Sequence, residues 1–180
     1  KGDIKGIYRM YARFRPYHLI GAIGGFLTAL TAIISLAVST SYYISAEWVI
    51  IVNMLLIGSN GLIATYFFGA FSASRDSLIK VGSLIAGIGL GFNILISILQ
   101  MAGVYVFVLA LLGALVMMAG VVIACIKFIM LFQRDAFVVV FCVFIFLGLL
   151  LSLFWTWASL ISGAGLGGLL IYFYVHNITY

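Results

Sequence analysis

Six long apolar segments, separated by short connections, account for most of this chain. Each is about as long as the 20 residues that a helix needs to cross some 30 Å of hydrocarbon. They cover residues 18–43, 48–72, 79–101, 104–131, 136–157 and 159–175. The sequence therefore predicts an all-α integral membrane protein, built as a bundle of six transmembrane helices.

The scarcity of charge excludes a water-soluble fold. Only 7% of the 180 residues are charged, 66% are hydrophobic, and the mean hydropathy is +1.34. Soluble domains carry about 25% charged residues. A chain this apolar could not cover its hydrophobic surface in water, and its length leaves no room for a separate soluble domain beside the bundle.

The nine basic residues predict the orientation of the helices. They precede the first segment or lie near the second and fourth connections: Lys1, Lys5, Arg9, Arg13, Arg15, Arg75, Lys80, Lys127 and Arg134. The first, third and fifth connections contain no Lys or Arg. Positive charge marks the cytoplasmic side, or the equivalent side of an organelle membrane, so six spans with both termini on that side fit the pattern, whereas five or seven spans break it. The net charge of +5 therefore indicates membrane orientation and not nucleic-acid binding.

Residues 1–16 are predicted to form a separate basic amphipathic helix on the lipid surface. Lys5, Arg9 and Arg13 recur every four residues, with aromatic and Ile side chains on another side. Pro16 disfavours helix at the residue before it, so a boundary is expected there. The predicted organisation is thus a juxtamembrane segment, 1–16, followed by the transmembrane bundle, 17–180. A partner-binding helix is the alternative for the first segment.

Small residues at helical spacing predict close helix packing. The first segment carries six of them on one stripe, namely Gly21, Gly24, Thr28, Thr31, Ser35 and Ser39. In lipid, small residues let two backbones approach and hydroxyls offer hydrogen bonds between helices. Similar seams are expected at Gly61 on the second segment, at Gly87 and Gly91 on the third, and at Gly163 and Gly167 on the sixth.

Four amides are predicted to lie inside the membrane: Asn53, Asn60, Asn93 and Gln100. Asn53 and Asn60 are seven residues apart, so they share a helix face. An amide in hydrocarbon finds a partner, usually across a helix interface. The alternative is that these amides, with the hydroxyls of the first segment, line a weakly polar path for water or a small neutral solute.

A faint internal repeat suggests three helical hairpins. Arg75-Asp76 follows the second segment and Arg134-Asp135 follows the fourth. Aligning these two pairs also aligns Gly89 with Gly148. Duplicated hairpins occur in membrane folds, and chance similarity between apolar helices is the alternative.

The sequence shows no catalytic or metal-binding constellation. It lacks HExxH, Gly-x-Ser-x-Gly and a phosphate-binding loop. His18 and His176 are expected at the basic interface, and Cys125 and Cys142 are expected as apolar core residues. We therefore expect no enzyme activity, no metal and no cofactor, although a bound lipid or quinone held without side-chain ligation would leave no sequence signature.

Two hypotheses about function follow from the sequence. The first is a non-enzymatic subunit that packs and assembles within a larger membrane complex, because packing seams are abundant and chemistry is absent. The second is a small channel or carrier for water or a neutral solute. A membrane-embedded lipid or quinone enzyme fits least. The expected partners are membrane lipids and other transmembrane helices, from other subunits or from further copies of the chain, and nucleic acid is not expected.

Overall fold

The computed structural model describes residues 4–40, 45–104, 106–176 and 178, of which residues 4–13 and 156 are described by their backbone alone. All regular secondary structure in this part of the chain is helical. The six helices are α1 (Ile4–Ser39), α2 (Ala46–Ala73), α3 (Ser77–Met101), α4 (Phe107–Leu131), α5 (Ala136–Ser152) and α6 (Ser159–Val175), with a single 3₁₀ turn at Thr156–Ala158. The all-helical prediction is confirmed.

Four helices are long and apolar enough to cross a membrane. They are Phe14–Ser39 within α1, then α2, α3 and α4 in full. The other two, α5 and α6, have 17 residues each, which at 1.5 Å per residue is about 26 Å. That length is at the short limit for a span. The count of six spans and the sidedness of the termini stay predictions.

The helix boundary predicted at Pro16 is wrong. Helix α1 continues through this proline from Ile4 to Ser39. Phe14 and His18, on either side of it, are each only 1% exposed, and their ring centroids are 5.0 Å apart. Burial of these two rings offsets the cost of the backbone hydrogen bond that Pro16 removes. The surface orientation expected for residues 1–16 depends on side chains that lie mostly outside the described part.

The fifth apolar segment is shorter than predicted. Helix α5 ends at Ser152, and not near residue 157, because the chain turns at Leu153 and Phe154 into the 3₁₀ turn. No Pro or Gly announces this stop. By contrast α3 ends in a Schellman motif with Gly103 at a φ of 79°: the Gly103 N–H donates to Gln100 and the Val104 N–H donates to Leu99.

The six described helices form a closed ring. Each packs against the helix that follows it in the chain, and α6 packs back against α1. Neighbouring helices are antiparallel; Gly21 of α1, for example, faces Leu170 of α6, and Gly25 faces Gly167 and Gly163. The least extensive contact is between α4 and α5. Antiparallel neighbours place Arg15, the α2–α3 and α4–α5 connections, and the end of α6 at one end of the ring, called here the basic end.

Aspartates cap two helices at the basic end. The Asp76 carboxylate accepts from the backbone N–H groups of Leu78 and Ile79 at the start of α3. The Asp135 carboxylate does the same for Phe137 and Val138 at the start of α5. A carboxylate at this position satisfies backbone donors and the positive end of the helix dipole. Both caps therefore fix where a helix begins after a short connection.

Both aspartates also bind a neighbouring helix. The second Asp76 oxygen lies 2.9 Å from the Lys127 Nζ atom near the end of α4. The second Asp135 oxygen accepts from the Tyr172 hydroxyl of α6 at 2.6 Å. Lys127 therefore extends to the basic end, which its long stem allows, and its ammonium meets a carboxylate there.

Candidate functional site

A cavity of about 280 Å³ lies inside the ring and is lined by residues from all six helices. Its uncharged polar side chains come from five of them: Thr28, Asn60, Asn93, Ser97, Ser152, Ser159 and Ser162. Thr28, Asn60 and Asn93 lie near the middle of their helices, whereas Ser152 and Ser159 mark the end of α5 and the start of α6. The cavity thus extends from the centre of the ring toward the end opposite the basic one.

Several lining hydroxyls already donate a hydrogen bond within their own helix. Thr28 donates to Gly24 at 3.0 Å, Ser152 to Leu149 at 2.7 Å, and Ser162 to Ser159 at 3.2 Å. A hydroxyl that donates still has lone pairs free to accept. These three groups therefore present acceptors, and not donors, to whatever occupies the cavity.

The two cavity amides are the main source of donors. The Asn93 Nδ2 atom donates only to the Met117 sulfur, at 3.5 Å, which is a weak acceptor. Asn60 and Ser97 line the cavity and form no side-chain hydrogen bond with the described part of the chain. The site can thus both donate to and accept from a bound molecule through fixed, uncharged groups.

None of the described residues that line the cavity has an ionisable side chain. The described residues also include no group of three or more His, Cys, Asp or Glu side chains that could hold a metal ion. Its remaining walls are apolar, with Phe67, Val121, Ile145 and Leu166 on the side toward the basic end. An ion would enter without a compensating charge, which is costly in a low-dielectric interior. The chemistry of the lining fits a neutral molecule with hydrogen-bonding groups.

An aromatic cluster fills the ring between the cavity and the basic end. Phe14, His18, Tyr66, Phe128 and Phe173 are each at most 4% exposed. The His18 ring centroid lies 5.6 Å from that of Phe173 and 5.8 Å from that of Tyr66. Its Nε2 atom is 3.0 Å from the Ile178 carbonyl oxygen. Among the described residues, this cluster lies between the cavity and the basic end.

The structure separates the amides that the sequence grouped together. Asn60 and Asn93 line the central cavity with Thr28. Asn53 lies instead in a crevice between α1 and α2 that also includes Ser35. Gln100 is half-buried in the last turn of α3 and outside the cavity lining. Thr31 is 1% exposed and donates to the Leu27 carbonyl of its own helix at 2.7 Å.

Five of the seven glycines predicted at packing seams have close neighbours. A Cβ at Gly21 or Gly24 would meet α2 side chains within 2.8 Å, and one at Gly87 would meet the Phe68 ring at 2.9 Å. Gly163 and Gly167 face α1, where a Cβ on Gly25 would lie 2.6 Å from the Gly167 nitrogen.

Gly61 and Gly91 differ from that group. A Cβ at either position would meet nothing within 4 Å, and Gly91 is exposed. The described helices therefore supply no close neighbour at either position, and a packing seam there stays a prediction. A glycine has no side chain to distinguish a face that meets another helix from one that meets lipid, so helical spacing alone could not separate the two cases.

The sequence did not single out several residues that matter in the structure. Ser97, Ser152, Ser159 and Ser162 line the cavity. Ser159 and Ser162 share a face of α6, and Ser152 lies just before the fifth connection. This concentration of hydroxyls around the fifth connection is the sequence signal that could have indicated the cavity lining. The closest backbone approaches are at Gly89, Gly120 and Gly148. Of these, Gly89 and Gly148 entered the sequence analysis only through the argument for a repeat.

Comparison with known proteins adds no family to this description. No protein-family model matches the chain, and neither a curated protein nor a solved structure resembles it closely enough to count as a match.

Proposed function

We propose that the protein is a six-span membrane protein that binds a small uncharged solute in the central cavity and conducts it across the bilayer. The observation that carries the proposal is the cavity itself, whose described lining residues include seven polar and no ionisable side chains. Concave, mostly apolar sites with a few placed polar groups are the usual form of small-molecule sites. Its volume of about 280 Å³ suits molecules the size of urea or glycerol.

The proposed orientation has the basic end in the cytoplasm. The basic residues at that end, from Arg15 to Arg134, support it through the positive-inside rule. The cavity then faces the opposite side, and the cluster around His18 and Phe173 closes the cytoplasmic end. Conduction requires that cluster to open, so solute passage is expected to be slower than through a continuous pore.

Assembly within a larger membrane complex is the second candidate function. The observation that favours it is the outward face of α5, on which Phe137, Phe144 and Phe146 are 65%, 48% and 44% exposed. The limited contact between α4 and α5 leaves room beside this face for a helix of another subunit. Purification in a mild detergent tests it, because a stable partner of defined stoichiometry would favour assembly.

Solute flux into proteoliposomes tests the transport proposal. The measurement is stopped-flow swelling with water, urea and glycerol. Asn60→Leu and Asn93→Leu keep side-chain size but remove hydrogen bonds, and each should lower flux of the conducted solute roughly two- to tenfold, which is the effect of one hydrogen bond. Asn53→Leu is the matched control, because it lies on the same helix as Asn60 but outside the cavity.

Two results would overturn the proposal. One is flux of every tested solute at the level of protein-free liposomes, with the protein shown to be folded. The other is an equal loss of flux in the Asn53 control and the two cavity variants, since that would indicate a general effect on stability and not a role of the cavity.

A further inference from the structure

A second concave site lies outside the ring's central cavity, between the last turns of α1 and the first turns of α2. This crevice has a volume of about 210 Å³. It is lined by Ser35, Val38, Ser39, Trp48, Val49, Val52 and Asn53. Ser39 and Trp48 are exposed, whereas Asn53 is only 5% exposed. The crevice therefore extends from an open rim to a buried amide.

The Asn53 amide is only half satisfied. Its Nδ2 atom donates to the Val49 carbonyl of the same helix at 2.9 Å. Its Oδ1 atom is buried and has no hydrogen-bond partner. A buried acceptor without a partner costs about 1–3 kcal/mol, and such groups in folded proteins usually have an explanation, which can be a bound molecule.

The lining determines the chemistry of a molecule that could satisfy this oxygen. An acceptor needs a donor, so the occupant must carry an O–H or N–H group. The described residues that line the crevice include no charged side chain, which disfavours an ammonium group. Ser35 forms no side-chain hydrogen bond with the described part of the chain, and Ser39 donates to Leu36 at 2.9 Å. Both hydroxyls can accept, and Ser35 can also donate. A neutral alcohol, which has one proton to donate and lone pairs to accept, can donate to Asn53 and accept from Ser35.

The position of the crevice favours an occupant that comes from the bilayer. Its walls between the polar groups are three valines. The helix surfaces beside it are apolar and exposed, with Leu36 at 49% and Ile51 at 43%. Trp48 at the rim is of a residue type that is enriched at membrane interfaces. A lipid could lie against these surfaces with its hydroxyl inserted toward Asn53.

We propose that this crevice binds the free hydroxyl of an uncharged lipid of the diacylglycerol class. The hydroxyl donates to the Asn53 Oδ1 atom and accepts from Ser35, while the acyl chains follow the outer surface of α1 and α2. The site is independent of solute conduction through the central cavity.

Quenching of Trp48 fluorescence tests the proposal directly. The full chain, with Trp155→Phe and Trp157→Phe so that Trp48 is the only tryptophan, is placed in phosphatidylcholine nanodiscs. Diacylglycerol brominated near the glycerol end of its acyl chains is then added in steps. The matched probe is the same brominated lipid with its hydroxyl converted to a methyl ether, which cannot donate. Brominated phosphatidylcholine supplies the baseline for unselective contact.

We expect saturable quenching above the baseline with the alcohol and none with the methyl ether. Asn53→Leu should weaken the apparent affinity for the alcohol roughly two- to tenfold, as expected for loss of one hydrogen bond. Asn60→Leu, in the central cavity, should leave that affinity unchanged. Asn53→Leu removes an unsatisfied buried oxygen, so folding should tolerate it, and the methyl-ether comparison needs no variant at position 53.

Equal quenching by the alcohol and its methyl ether would overturn the proposal, because it would show that the crevice accepts any lipid. Quenching that never exceeds the phosphatidylcholine baseline would also overturn it and would leave water as the partner of Asn53. Neither result bears on solute flux through the cavity, so the two proposals fail separately.

Discussion

Adding a single methyl group at Gly120 should separate α4 from α3. A Cβ at this position would meet the Ala86 nitrogen and would lie 2.6 Å from the Gly82 carbonyl oxygen and 2.7 Å from the Ala86 Cα atom. All three are backbone atoms of α3, so no side chain can rotate away. Ordinary contact begins at 3.4 Å, and relief at the Gly82 oxygen alone needs a displacement of about 0.8 Å.

The energetic consequence follows from overpacking. Inserting a methyl group into a well-packed interior costs about 1–3 kcal/mol. The higher helix propensity of alanine returns at most about 1 kcal/mol. Gly120→Ala should therefore lower the free energy of unfolding by up to about 2 kcal/mol. Reversible unfolding in mixed detergent micelles, followed by circular dichroism, measures that difference.

Gly91→Ala is the matched control because it makes the same chemical change on α3, where a Cβ meets nothing within 4 Å. Its stability should equal that of the wild type or exceed it by up to about 1 kcal/mol. A Gly120→Ala variant as stable as Gly91→Ala would refute the close backbone packing of α3 on α4, because only Gly120→Ala is expected to carry the overpacking cost of about 1–3 kcal/mol. A loss of stability in Gly91→Ala would instead show that its exposed face is covered by another helix.

Three further predictions concern the basic end, the first helix and the orientation. The hydrogen bond from Lys127 lowers the pKa of Asp76 below its usual 3.8. Folding therefore favours the ionised carboxylate, and the stability that this carboxylate contributes should be present above pH 4 and lost as the pH falls through the lowered pKa. Asp76→Asn should remove this part of the acid sensitivity, measured by thermal unfolding between pH 2 and pH 6, and an unchanged profile would contradict it. Thr31→Val should change stability by less than about 1 kcal/mol, because the hydroxyl bonds only the Leu27 carbonyl of its own helix. A single cysteine at Ser45, in a chain lacking Cys125 and Cys142, should react with an impermeant maleimide only from the non-cytoplasmic side, and cytoplasmic labelling would refute the orientation.

The helix positions were largely predictable because charge and apolar length mark them. Arg75-Asp76 and Arg134-Asp135 interrupt two apolar runs, and the aspartates cap α3 and α5. Two helix boundaries were predicted wrongly. Burial of Phe14 and His18 maintains α1 through Pro16, and α5 ends at Ser152 without a local stop signal.

The candidate site was only partly predictable, because small polar residues behave alike on different helix faces. A serine or threonine that donates to its own helix, as Thr28 and Ser162 do, satisfies its donor without a neighbour. Such a residue can therefore face lipid, a packed helix or a cavity, and the sequence cannot distinguish these environments. Asparagines were more informative, since an amide in hydrocarbon needs partners, and two of the four predicted amides line the cavity.

The different surroundings of Asn53 and Asn60 follow from the lengths of α5 and α6. The two residues share a face of α2 and are separated by about 10 Å along the helix axis. On the other side of α1, Gly163 of α6 lies against Thr28 and Ala29. Helix α6 is antiparallel to α1 and begins at Ser159, only four residues before Gly163. Its first turn therefore lies near residue 33 of α1, and α6 does not extend beyond that level. At the level of Asn60 and Thr28 the ring is complete and encloses a cavity. At the level of Asn53 and Ser35 the wall from α6 is absent, and the same polar face opens outward as a crevice.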